Sequence, residues 1–164
     1  MGVKDKLALL RDGSVNLTGT EAGAPATAGT FVFDTATSAQ VPSGGVVSLL
    51  GRTGGPGTSR VKPMVASLIV PIGFPTGATP SIAVQIEATD DTNLVNWERL
   101  LTFSFQTVAG ALVTFGNQAN PLNLTVSGEY RQGFTSYRRF YRHNVTAFAG
   151  TSFGGVIIAL ELAF

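Results

Sequence analysis

The stretch "SIAVQIEATDDTNLVNWERLLTFSFQTV", Ser81 to Val108, decides the fold class. Ile82, Val84 and Ile86 alternate with Ala83, Gln85 and Glu87; Leu101, Phe103 and Phe105 alternate with Thr102, Ser104 and Gln106. A period of two is that of a strand with one buried face. Between the two runs lie Asp90, Asp91, Asn93 and Asn96, residue types whose side chains favour turns through local hydrogen bonds. The stretch therefore predicts two patterned strands joined by a hairpin-type connection.

Outward from this pair the same texture continues. "TFVFD" places Phe31 and Phe33 on one strand face. "PMVASLIVPIGF" is a strand limited by Pro63 and Pro71. "ALVTFG", "SYRRFYRHNVTAF" and "GGVIIALELAF" read as further strands. "NQANPLNLTVSGEYRQGFTS" reads mostly as loop, with "LNLTV" a short strand. Helical periodicity is nearly missing; "VKDKLALLRD" offers a turn or two before Gly13. The expectation is an all-β antiparallel sandwich of about eight to ten short strands. It is a single domain over residues 14–164, with residues 1–13 as an extended N-terminal arm.

Composition narrows the function. Charged residues are 13% of the chain, where about a quarter is usual, which fits equally a surface covered by other protein and a small neutral β domain. A net charge of +1 supplies no field to draw in nucleic acid. With no Cys, disulfides and thiol chemistry are excluded. No secretory signal pattern opens the chain, and no window is apolar enough for a membrane span. Three Asn-x-Thr sequons, at Asn16, Asn123 and Asn144, carry little meaning in so Asn- and Thr-rich a chain.

Candidate sites are few. Asp90, Asp91, Asn93, Asn96 and Glu98 supply oxygen ligands, but the spacing lacks the Gly and terminal Glu of a calcium loop. Trp97, the single tryptophan, is a core or rim anchor or a stacking platform for a sugar. His143 is the single histidine; alternation puts it on the face of Tyr141 and Val145, as a satisfied strand residue. No nucleophile elbow exists, and no pair of acids is nominated for glycoside hydrolysis, so no enzyme is expected. "GRTGGPGTSR" lacks the lysine of a phosphate loop and reads as a surface loop whose Arg52 and Arg60 clamp a partner. "SYRRFYRH" interleaves basic and aromatic residues, a nucleic-acid signature. Alternation, however, sets Arg138 and Arg142 on one face and Arg139 on the other, which breaks any single stripe.

The strand, acidic turn, Trp and strand of "IAVQIEATDDTNLVNWERLLTF", followed by "SYRRFYRHNVTAF" and the closing "FGGVIIALELAF", resemble the small jelly-roll cement (decoration) proteins of tailed-phage capsids. The resemblance covers Ser81 to Phe164, roughly half the chain. It implies a jelly-roll sandwich, commonly trimeric, on the outer surface of a virion assembled in the host cytoplasm. There it would bridge and stabilise major capsid protein subunits, with no cofactor, metal, membrane or nucleic acid. The residues expected at capsid or intersubunit contacts are Lys4, Lys6, Leu7, Leu10 and Arg11 of the arm, Arg52 and Arg60, and Asn117 and Pro121 of a loop. Asp90, Asp91 and Trp97 of the acidic turn are added, with its acids meeting arginines from elsewhere in the assembly, and Arg138 and Arg142. The alternative is a carbohydrate- or receptor-binding sandwich of a virion fibre or spike, using Trp97.

Overall fold

The computed structural model describes residues 8–25, 28–36, 39–41, 62–70, 81–108, 111–115, 128–149 and 154–162. These residues form strands and no α-helix. The strands are β1 (Leu9–Asp12), β2 (Glu21–Ala22), β3 (Phe33–Asp34), β4 (Ala39–Gln40), β5 (Lys62–Val70), β6 (Ser81–Thr89), β7 (Glu98–Val108), β8 (Ala111–Phe115), β9 (Gly128–Ser136), β10 (Phe140–Ala149) and β11 (Ile157–Leu162). They pair antiparallel in two sheets. One has the order β1-β11-β5-β9; the other has β4-β3-β10-β6-β7-β8. On the edge of β10 opposite β6, β3 pairs at Phe140–Tyr141 and β2 pairs at Asn144–Val145.

The opening stretch forms as expected. β6 and β7 pair in register, Ile82 with Phe105, Val84 with Phe103 and Ile86 with Leu101. A bulge then sets Glu87 opposite Arg99, leaving Leu100 as the extra residue of β7. The inward residues of this sheet are Ile82, Val84, Ile86, Ala88, Leu101, Phe103, Tyr141 and Val145. They meet Leu10, Met64, Ala66, Leu68, Val70, Tyr130, Ile158 and Leu160 of the other sheet in one buried core. Each large side chain buried there stabilises the fold by roughly 1.5–3 kcal/mol. The chain is thus an all-β sandwich.

A second, smaller core lies on the outer face of the larger sheet. Phe140 and Tyr141 are consecutive in β10 and both fully buried. Tyr141 points into the main core, while Phe140 joins Val32 and Val41, with Leu94 and Trp97 packed against them. That end of β10 is buried on both faces.

Two expectations change. Residues 9–12 are not helical and do not belong to a free arm: they form β1, paired with β11. A bulge at Leu10 turns two successive residues inward, so Leu10 and Arg11 are 0% and 1% exposed. The other side of β1 is bonded too, Phe31 N–H to Leu10 O at 2.9 Å and Asp12 N–H to Gly29 O at 3.1 Å. Likewise "GEYRQGFTS", read as loop, is the nine-residue β9. Tyr130 and Phe134 face in, and Glu129, Arg131 and Thr135 face out.

Gly13 ends β1 with φ +75°, and a Cβ there would stand 2.6 Å from Gly155 O. Gly13→Ala is expected to destabilise the protein by on the order of 1–3 kcal/mol, through a left-handed alanine and a backbone clash. Phe103→Ala is expected to cost about 3–5 kcal/mol by opening the main core. Chemical denaturation of the two variants checks both values.

Candidate functional site

The acidic turn between β6 and β7 is held by its own polar groups. Thr89 Oγ1 donates to Val95 O at 2.9 Å and accepts from Asp91 N–H at 3.0 Å. Asp91 Oδ1 accepts from Asn93 N–H at 2.9 Å, and its Oδ2 accepts from Asn96 Nδ2 at 3.1 Å. Leu94 and Asn96 both take left-handed backbone, at φ 57° and 55°. Asn tolerates that region; a leucine does so at a cost. The Leu94 side chain offsets it by packing on the outer core, and Leu94 O accepts from Trp97 Nε1 at 2.8 Å.

Beside this turn, each of three arginines finds an acid and an aromatic ring within the chain. Arg138 donates to Glu98 Oε2 from Nε at 3.0 Å and NH2 at 2.7 Å, and to Asp90 Oδ2 from NH1 at 2.9 Å. Its guanidinium lies 4.7 Å from the Tyr137 ring centre. Hydrogen bonds to Asp90 and Glu98 push its pKa up. Arg139 makes a two-pronged pair with Asp34, at 2.9 and 2.7 Å, over the Phe140 ring. The bonds to Asp34 outweigh its burial and raise its pKa as well. Arg142 donates to Glu87 Oε2 at 2.8 Å and lies 4.3 Å from the centre of the Trp97 ring. Asn144 Nδ2 holds the other Glu87 oxygen at 2.8 Å. Tyr141 O–H donates to Arg138 O at 2.8 Å, and burial raises the phenol's pKa.

A separate cluster sits at the seam between the sheets. Arg11 from β1 donates from Nε to Glu21 Oε1 at 2.7 Å, from NH1 to Val156 O at 2.7 Å and from NH2 to Val15 O at 2.8 Å. His143 of β10, with no exposed surface, donates from Nε2 to the same Glu21 oxygen at 2.9 Å. Its buried Nδ1 has no hydrogen-bond partner among the described residues. Gly23 lies over that nitrogen: a Cβ at Gly23 would stand 3.2 Å from it and 2.8 Å from Phe31 O. Burial works against the Glu21 carboxylate, but the bonds from His143 and Arg11 more than offset it, and its pKa lies below the usual glutamate value.

The expected contact residues therefore divide. Lys4, Lys6, Leu7, Arg52, Arg60, Asn117 and Pro121 lie outside the described residues. Leu10 and Arg11 were expected on an exposed arm and are instead sealed inside, because the β1 bulge turns them inward. Asp90 meets Arg138 and the Arg139 amide of its own chain, and Asp91 holds its own turn. Arg142 is likewise matched in-chain, by Glu87 and Trp97. Trp97 is half-buried, with one ring face covered by a guanidinium and its N–H in use. Arg139 does not share the Tyr141 face; residues 137–139 precede β10, and alternation does not reach them. The sequence does not mark Glu21, Asp34 or Glu87 as partners of these arginines. Glu87 carried a signal, an acid in a strand directly opposite Arg142.

Among the described residues no group of three His, Asp or Glu is placed to hold a metal ion. No described helix is long and apolar enough to cross a membrane. Fold and site together define an all-β sandwich whose described arginines of the "SYRRFYRH" stretch are internally matched. No family model, curated protein or solved structure matches the chain.

Arg139→Ala, which strands the buried Asp34 carboxylate, is expected to cost about 3–5 kcal/mol. Arg138→Ala, at an exposed pair, is expected to cost about 1 kcal/mol or less. Equilibrium denaturation separates them. Arg142→Ala should raise acrylamide quenching of the Trp97 emission by uncovering one ring face.

Proposed function

We propose that this chain is a structural virion protein, a capsid cement protein whose sandwich is a jelly roll and which bridges major capsid subunits on the outer shell as a homotrimer. Strand order carries the reading. With the additional strands β2, β4 and β8 of the larger sheet set aside, the chain taken as β1, β3, β5, β6, β7, β9, β10 and β11 changes sheet at every step except β6 to β7. The final strand lies between the first and the third. This interleaving of strands between a four-stranded and a seven-stranded sheet supports a jelly roll, the architecture of many capsid domains.

The chemistry of the described surface agrees with a mechanical role. Bridging needs several modest contacts that add through an oligomer, not a reactive centre. The proposed contacts are Lys4, Lys6, Leu7, Arg52, Arg60, Asn117 and Pro121, with Asp90, Asp91, Trp97, Arg138 and Arg142 beside the acidic turn; Leu10 and Arg11 leave the set because they are interior. The sugar-binding alternative is left with at most one face of Trp97, since Arg142 covers the other.

Co-sedimentation with expanded capsids of the virus that encodes the chain tests the reading. Full-length protein should pellet with the capsids, and removal of residues 1–7, which stops short of β1, should weaken pelleting. Protein that stays in the supernatant at every salt concentration would sink it. Light scattering should give the mass of three chains.

A further inference from the structure

We propose that residues 8–22 form an acid-releasable strap, closed over the seam of the sandwich by the Glu21 carboxylate. This goes beyond the capsid reading and does not depend on it.

Backbone bonds flank β1 on both sides, but few apolar side chains hold the strap. β1 is four residues long and β2 is two. Their segment adds Leu10 and Leu17 to the main core, while β5, β6, β7, β10 and β11 supply nearly all the rest. Short elements with few apolar contacts open before the global fold does. What anchors the strap is Arg11, whose side chain is 2% exposed. Its guanidinium ties β1 to β2, to the Val15 carbonyl and to Val156 ahead of β11. The two carbonyls satisfy hydrogen bonds but carry no charge.

Glu21 neutralises that buried cation. The ionisable groups facing its carboxylate, among the described residues, are Arg11 from β1 and His143 from β10, and both donate to Oε1. The Glu21 side chain is 27% exposed, so solvent protons reach it while Arg11 stays sealed. Once protonated, Glu21 leaves a guanidinium in a dry seam without its counter-charge. Such a cation is costly to keep and returns to water if its strand can detach.

The direction of the pH dependence follows. The folded-state pKa of Glu21 is depressed. Its contribution is therefore fully present above the value of an unfolded glutamate and is lost as pH falls through the folded value. Acid opens the strap; alkali does not.

Hydrogen exchange followed by mass spectrometry on the full chain, corrected for intrinsic rates, tests this. At neutral pH, Glu21→Gln should speed exchange within residues 8–22 by about tenfold or more, with β5, β6 and β10 unchanged. The wild type should acquire that pattern only as pH falls below the range in which an unfolded glutamate titrates. Arg11→Met, which removes the buried charge, should keep the strap protected to lower pH than the wild type. Should Glu21→Gln fail to fold, the acid series of wild type and Arg11→Met decides alone. Loss of protection in all segments together, or an Arg11→Met strap that opens at the wild-type pH, overturns the proposal.

Discussion

A guanidinium sealed between two sheets sets the terms on which the N-terminal segment joins this sandwich. Arg11 reaches the seam because a bulge turns it and Leu10 inward together. It stays there because every donor nitrogen has an acceptor and one acceptor is a carboxylate. The neighbourhood is shaped around it. Gly13 allows the end of β1 to approach Gly155 ahead of β11, and Gly23 lets β2 lie against His143 without a side chain between. His143 closes the set by donating to the oxygen that Arg11 uses. Replacing a buried ion pair with apolar groups is often harmless, whereas removing one partner is not. The seam is therefore strong only while intact.

The opposite theme governs the acidic turn and the strand beyond it. There the charges lie nearer the surface, and each arginine is matched locally. Asp90 and Glu98 grip Arg138, Asp34 grips Arg139 and Glu87 grips Arg142, with an aromatic ring beneath each guanidinium. In a chain with only 13% charged residues, this spends many of its acids on internal geometry. It fixes the β6–β7 turn against the start of β10 and leaves that stretch no unmatched basic surface for a polyanion. The cement reading asks for a rigid body, and these pairs help to supply one.

How much of this was legible depended on the range of the interaction. The alternation of Ile82, Val84 and Ile86 with Leu101 and Phe103 reports burial by neighbours in the same hairpin, so the sequence displays it directly. His143 on the face of Tyr141 and Val145 was legible for the same reason. β9 was not, because Gly128 and Gly133 and five polar residues mask an alternation carried by Tyr130 and Phe134 alone. β1 was missed because a bulge breaks period two, and "LALLR" then looks like one turn of an amphipathic arm. The arginine partners were hidden by distance: Arg138 meets Asp90 across 48 residues and Arg139 meets Asp34 across 105. Residue type predicts that an arginine needs an acid; only topology says which one.

The central claim is that Arg11 and Glu21 act as one unit in holding the seam. A double-mutant cycle of Arg11→Met, Glu21→Gln and the pair, read by equilibrium denaturation at neutral pH, measures it most directly. The account predicts a coupling energy of about 2–3 kcal/mol, with the double variant far less destabilised than the sum of the single ones. Losses that add to within about 0.5 kcal/mol would contradict it.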